Sequence, residues 1–345
     1  MTLHDPDRRS VSAALLLSAL AVGSARAQSR PQPAAAPKLP PLPSPEEWAR
    51  LWPPAEVIPL WPESPPGRID GFEVPAVPEG WPGGAWPASF LRRTAMPTLN
   101  VFRPAKPNGE ALLICPGGAY VFVSAAKEGV DVARLFTALG VTVFVLSYRL
   151  PGEGWHNRAD VPLQDAQRAM RLIRSRAAAF AIRPDRVGVL GFSAGGHLAA
   201  TLAVDHAETV YSPVDRADRE SARPAYAGLI YPVILTTGPH VHARFRSELF
   251  GPSPSQALVA RRSADRRVTS ATPPCFIAHA ADDTTVPVEH SLAMQAALRT
   301  AKIACEAHFF TEGQHGFGIG RAGQPNALWP QLFDAWARRT AETPA

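Results

Sequence analysis

Beyond Pro97 short apolar runs of strand length alternate with amphipathic stretches of helix length, without an internal sequence repeat. Strands are expected at 99–102, 111–115, 141–147, 187–191, 229–233, 275–279 and 304–310. Runs this continuously apolar need cover on both faces, which predicts an α/β class: a mostly parallel central sheet with helices on both sides. One helix is expected at 130–139, stopped by Gly140 just past its end. Another is expected at 161–180, with Ala166, Ala169, Met170 and Ile173 on one face and arginines opposite. Between 236 and 270 the alternation lapses. That segment carries Arg244, Arg246, Arg261, Arg262, Arg266 and Arg267 and reads as an insertion over the carboxyl edge of the sheet.

The 345 residues allow one large or two modest domains. With 46% hydrophobic and 19% charged residues, a wholly disordered chain is excluded. A net charge of +5 without a long basic block argues against nucleic acid as a partner. Proline is unevenly spread: 18 of the 37 fall in 28–97, so that stretch cannot be built of long helices.

Residues 1–27 read as an export signal. Arg8 and Arg9 precede an apolar run over 11–22, and Ala25-Arg26-Ala27 offers the small residues of a cleavage site. The run is well short of the ~20 residues that span a bilayer, so no integral membrane segment is expected after cleavage. Both a general secretory and a twin-arginine route fit, which implies a periplasmic or extracellular protein. Residues 28–45 are expected to form a disordered Pro-rich linker. The stretch 46–97 keeps the prolines and adds Trp48, Trp52, Trp61, Trp81 and Trp86, five of the eight tryptophans. It is read as an arm packing on a catalytic domain at 98–345, because rings this large are seldom left exposed; a sugar-stacking platform is the alternative. Cys115, Cys275 and Cys305 lie in apolar strand-like runs and are expected as buried free thiols, with one disulfide left open.

The chemistry is carried by Gly191-Phe192-Ser193-Ala194-Gly195, which follows an apolar strand and precedes the helix-forming run 196–204. A sharp strand-to-helix turn lifts a serine hydroxyl clear of the sheet, and glycines let the chain turn there. Serine needs an adjacent base, itself oriented by an acid. Asp283, on the loop after the strand at 275–279, is the expected acid, with Asp282 as rival; an aspartate there could also merely cap the next helix, expected to begin at Thr284-Thr285-Val286-Pro287. His315, in Gly313-Gln314-His315-Gly316-Phe317 after the last strand, is the expected base. The chain order Ser193, Asp283, His315 is that of a nucleophile-elbow hydrolase. Donors for an oxyanion are expected from the backbone N–H groups of Gly118, Ala119 and Ala194, the first two in the small-residue loop Cys115-Pro116-Gly117-Gly118-Ala119-Tyr120. His240 and His242 have no acidic or cysteine neighbour and do not read as a zinc site. His197 reads as a packing or hydrogen-bonding residue rather than a catalyst.

Several motifs together resemble one family: Pro116-Gly117-Gly118-Ala119-Tyr120, Lys127-Glu128-Gly129, Tyr148-Arg149-Leu150-Pro151, Asp165-Ala166-Gln167-Arg168-Ala169 and Gly191-Phe192-Ser193-Ala194-Gly195-Gly196-His197-Leu198. They resemble the α/β-hydrolase fold, and within it the secreted bacterial acetylxylan esterase and feruloyl esterase-like branch, from about Leu60 to the C-terminus. The resemblance implies removal of acetyl or feruloyl groups from plant cell-wall polysaccharide, with an acylated saccharide as partner and no metal or organic cofactor. That family usually has a third glycine where this chain has Ala119. The insertion arginines are read either as a solvated face or as a surface steering an acidic polysaccharide. The rival functions are a serine peptidase of the prolyl-oligopeptidase type, for whose propeller residues 28–97 are too short, and a non-catalytic carbohydrate-binding protein.

Overall fold

The structure is a computed structural model, and it describes residues 44–68 and 88–342. The expected export signal, nearly all of the expected linker, Trp81 and Trp86 lie outside the described residues. Among the described residues ten strands run in the order β1 Glu56–Pro59, β2 Phe90–Leu91, β3 Thr98–Phe102, β4 Ala111–Cys115, β5 Val123–Ser124, β6 Thr142–Ser147, β7 Val187–Phe192, β8 Ala227–Ile230, β9 Cys275–Ala280 and β10 Cys305–Phe310. The helices are α1 Pro45–Leu51, α2 Asp131–Ala138, α3 Val161–Ser175, α4 Ser193–Asp205, α5 Ala243–Phe250, α6 Gln256–Arg261, α7 Glu289–Thr300 and α8 Trp329–Glu342.

Eight of the strands form one sheet in the order β1-β3-β6-β4-β7-β8-β9-β10. The pairs β1/β3 and β3/β6 are antiparallel; every pair from β6 to β10 is parallel. Side chains of β4, β6, β7 and β9 are buried throughout, and one large apolar cluster lies on each face of the sheet. Thus Leu113, Val189 and Ile277 pack with α3 and α4 residues, whereas Leu112, Leu190 and Phe276 pack with α2 and α8 residues. This is the α/β-hydrolase architecture. Parallel strands end on the same side, so the loops after β4, β7, β9 and β10 gather at one edge.

Three boundaries differ from the sequence expectation. The helix expected at 161–180 ends at Ser175 and is followed by a separate turn, Ala177–Phe180, closed by Ala181 at φ +54°. The turn brings Phe180 edge-on to Phe144, with centroids 4.8 Å apart. The strand expected at 229–233 lies at Ala227–Ile230 instead; Tyr231 takes φ +36°, and Pro232, lacking an N–H, cannot continue the ladder. Ahead of α2 the chain makes a π turn, Ala126–Val130.

The N-terminal arm does more than pack. β1 extends the main sheet, paired from Glu56↔Val101 to Pro59↔Thr98, so the boundary at 97/98 cuts through one sheet. Trp61 is buried, its Nε1 donating to Asp165 Oδ1 at 2.9 Å, and Trp48 is buried with its ring stacked on Trp52. Trp61 and Trp48 are thus packed into the fold, while Trp52 stays partly exposed. The charged motifs around Arg149, Asp165 and Arg168 hold this arm in place. Arg149 and Asp165 pair at 2.8 Å with both side chains fully buried, and Arg149 Nη1 donates to the Pro66 carbonyl. Arg168, expected among arginines facing outward, is instead buried, donating to the Leu60 carbonyl and pairing with Asp215 and Asp218. Cys115, Cys275 and Cys305 are free thiols, the first two buried and the third partly so.

Candidate active site

Ser193 stands where β7 turns into α4, with φ +52°, a left-handed conformation that a residue with a Cβ adopts only under constraint. The constraint is close packing. A Cβ on Gly191 would lie 2.1 Å from the Gly195 carbonyl oxygen, and one on Gly195 would lie 2.0 Å from that of Cys115, so β4, β7 and α4 approach too closely for any side chain. Val233 N–H donates to the Ser193 carbonyl and ties the following loop to the turn.

The structure brings Ser193, His315 and Asp283 into one hydrogen-bonded chain. Ser193 Oγ lies 2.9 Å from His315 Nε2, and His315 Nδ1 lies 2.7 Å from Asp283 Oδ2. A carboxylate can only accept, so Nδ1 carries the proton and Nε2 is left to accept from the serine hydroxyl. Asp283 is buried and receives four donors: His315 and His279 on Oδ2, Thr285 N–H and Val286 N–H on Oδ1. Burial alone would raise its pKa. The hydrogen bonds from His279 and His315, the nearby imidazole and the Val286 N–H outweigh that and hold it well below the usual carboxylate range. Asp283 therefore meets the imidazole, as expected of the acid, but the N–H groups it caps belong to a turn and not to the next helix, since α7 starts only at Glu289 after Val288. Asp282, the rival, accepts from Gln314 N–H at 2.7 Å and so holds the backbone beside His315.

The loop after β4 is fixed almost atom by atom. Tyr148 Oη donates to the Pro116 carbonyl, Ser124 N–H to that of Gly117, and Val121 and Phe122 N–H to that of Gly118. Across a trans peptide the N–H points opposite to the C=O. Anchoring the carbonyls of Gly117 and Gly118 therefore turns the N–H groups of Gly118 and Ala119 the other way, and among the described residues neither meets an acceptor. Gly117 abuts the serine, since a Cβ there would come within 2.8 Å of Ser193 Cβ. Its own N–H is taken by Glu128 Oε2 at 2.7 Å. Ala194 is the second residue of α4, so its N–H precedes the first intrahelical bond. Ala119 sits at φ +52°, where a glycine would be unstrained.

The remaining candidates fall away from the site or into its support. His197 is buried between Tyr120 Oη, at 3.0 Å from Nδ1, and the Arg262 carbonyl, at 2.8 Å from Nε2. His242 caps α5 through Phe245 N–H, and the His240 carbonyl accepts from His290 Nε2. No group of three metal-ligating side chains occurs among the described residues. The arginine-bearing segment contains α5 and α6; four of its six named arginines are ion-paired, whereas Arg266 donates to Thr237 Oγ1 and, like Arg246, meets no carboxylate among the described residues. Arg262 is buried and pairs with Asp160, Asp205 and Glu208; Arg261 pairs with Asp160 and Glu208, Arg267 with Asp205, and Arg244 with Glu248. Glu128, Tyr231 and His279 acquire no role from the sequence. Only Glu128 lies in a motif that could have flagged it, Lys127-Glu128-Gly129.

The BD-FAE family model matches residues 99–298. An acetylxylan esterase of Xylanibacter ruminicola is 32% identical over 223 residues, 64% of this chain and 43% of that protein. An endo-1,4-beta-xylanase B of Butyrivibrio fibrisolvens is 36% identical over 228 residues, 66% of this chain and 34% of that protein. The chain thus spans less than half the length of these curated relatives. Among solved structures, the acetyl ester-xyloside bifunctional hydrolase of Caldicellulosiruptor lactoaceticus superimposes with a TM-score of 0.66 at 31% identity, covering 84% of this chain and 97% of that one.

Proposed function

The chain belongs to the BD-FAE family of α/β-hydrolases, and from that premise we propose that it is an exported carboxylesterase that removes acetyl groups from xylan or a related plant saccharide. Ser193, giving its proton to His315, attacks the ester carbonyl. Asp283 keeps the imidazole in the accepting tautomer and stabilises the imidazolium that forms. The N–H groups of Gly118, Ala119 and Ala194 hold the oxyanion, each such donor typically worth about 2.7–4 kcal/mol of barrier. His315 then protonates the departing alcohol, and water, activated by the same ring, hydrolyses the acyl-enzyme.

The observation that carries this reading is the unbroken hydrogen-bonded chain from Ser193 Oγ through His315 to Asp283, lying beside a loop with two unengaged N–H groups. The acetyl preference is supported by the similarity to an acetylxylan esterase and to an acetyl ester-xyloside hydrolase. Export is supported by the charged, apolar and small-residue order of 1–27. Native protein should release acetate from acetylated xylan and from short nitrophenyl esters, and act more slowly on methyl ferulate. A fluorophosphonate should label the native serine and leave Ser193→Ala unlabelled and at least a thousandfold less active, on the order of losses seen for triad members. Full turnover by folded Ser193→Ala would overturn the proposal.

A further inference from the structure

Glu128 is a carboxylate that the mechanism above does not use, yet it is buried, 5% exposed, within reach of the reacting groups. It sits in the middle of the π turn Ala126–Val130, a distortion often found at functional sites. Its Oε2 accepts from Gly117 N–H at 2.7 Å, and its Oε1 accepts from Tyr231 Oη at 2.9 Å. Tyr231 Oη in turn accepts from Gly318 N–H at 3.0 Å. Gly318 follows His315 by three residues, and its carbonyl is held by Trp329 Nε1. The Tyr231 ring also packs edge-on against the His315 imidazole, with centroids 5.1 Å apart, and against Phe317 at 4.5 Å.

Two loops that share no backbone hydrogen bond among the described residues, one presenting the oxyanion donors and one presenting the base, are therefore joined through one carboxylate and one phenol. Among the described residues Gly117 N–H is the only amide of the donor loop spent on a side chain, and spending it orients the peptide next to the Gly118 donor. Tyr231 is held in turn by its backbone, with N–H donating to the Ala278 carbonyl at 2.7 Å and φ +36°, a conformation costly for a tyrosine and maintained only by its surroundings. Burial raises the Glu128 pKa, and the Gly117 and Tyr231 donors counter that. Removing either partner would leave a buried polar group unsatisfied.

We infer that Glu128 and Tyr231 are positioning residues that set the distance between the oxyanion donors of the Gly118–Ala119 loop and the His315 imidazole, resting on the triad reading given above. They touch no reacting atom; they act through Gly117 and Gly318. Catalysis depends on such geometry to within about 0.5 Å, so loosening the bridge should slow the chemical step more than it weakens substrate binding.

The test compares native protein with Tyr231→Phe, Glu128→Ala, Glu128→Gln and Tyr231→Phe/Glu128→Ala on nitrophenyl acetate, with circular dichroism and urea unfolding on each. Tyr231→Phe removes a single oxygen and is the variant expected to fold without difficulty. In folded protein, kcat should fall about 10- to 100-fold for Tyr231→Phe and Glu128→Ala with KM within threefold, because the transition-state donors and base are misplaced while the pocket stays. Glu128→Gln, which keeps an acceptor for Gly117 N–H, should recover part of the loss. The double variant should be no slower than about the worse single, since both break one bridge. A kcat within twofold of native in folded Tyr231→Phe, or losses that multiply in the double variant, would sink the inference while leaving the triad intact. An active Ser193→Ala would instead remove the triad reading on which it rests.

Discussion

Ser193 and His197 share one helix and differ in a single respect that decides their roles: what each side chain meets. Ser193 opens α4 at a positive φ beside a loop of small residues, so its hydroxyl meets an imidazole. His197, one turn on, is enclosed by Tyr120 and the Arg262 carbonyl. Burial holds its pKa down to about 4, with the nearby Arg262 charge adding to the effect and the hydrogen bond to the Arg262 carbonyl opposing it. At neutral pH it is a neutral ring, donating from Nε2 and accepting at Nδ1. Its unfolded-state pKa is about 6.5. A folded pKa below the unfolded one means that the unfolded chain takes up the proton first. The stabilisation from a neutral His197 is therefore fully present above about pH 6.5 and is lost as pH falls toward 4, at about 1.4 kcal/mol per unit. Two outcomes follow. The ring resonances of His197 should stay unshifted from pH 7.5 to 5, and the difference in unfolding free energy between native protein and His197→Gln should shrink over the same range. An ordinary titration near 6.5 would contradict this picture of the ring.

The elements around the site are held by charges more than their sequence pattern suggests. α6 ends at Arg261, followed by Arg262, and these two meet Asp160 just ahead of α3, Asp205 at the end of α4 and Glu208 just beyond it. Breaking a buried ion pair from one side leaves its partners charged and unmatched, at about 3–5 kcal/mol. Arg262→Met should lower urea-unfolding stability by that order. It should also reduce turnover on acidic and neutral acetate esters alike, because the side chain faces Asp160 and Glu208 rather than substrate; a loss confined to acidic substrates would restore a steering role. Sequence spacing could mark these arginines as a cluster but not orient them. Whether an arginine on a short helix looks outward or inward is settled by carboxylates 54 to 102 residues away. The same holds for Arg168, whose helical position suggests solvent and whose partners, Leu60, Asp215 and Asp218, come from two other segments.

Across the whole molecule the arm at 56–66 is part of the fold. It supplies an edge strand, a buried tryptophan, and carbonyls that complete the arginine–aspartate pairs at Arg149 and Arg168. Trp61→Phe loses the bond to the Asp165 carboxylate, worth about 1.5–3 kcal/mol as for hydrogen bonds to charged groups, and also leaves a void where the second ring of the buried indole stood, which adds to that cost. A chain starting at Arg68 should lose far more, since it uncovers the β3 edge and leaves the Arg149 and Arg168 guanidinium groups short of acceptors; urea unfolding of both variants measures the order. An unchanged midpoint for the shorter chain would show the arm to be dispensable. The sequence alone determined the α/β layering, because continuously apolar runs of strand length alternating with amphipathic stretches of helix length cannot bury themselves otherwise. It also determined where Ser193, Asp283 and His315 stand relative to strand ends, because each lies just past an apolar run. Tertiary structure alone decided which carboxylate of Asp282 and Asp283 meets the imidazole, which amides of the β4 loop stay unengaged, and that Glu128 and Tyr231 bridge that loop to the histidine. Those outcomes depend on the direction of single side chains and peptide planes, which are set by contacts between segments far apart in the chain and have no periodicity for a sequence to display.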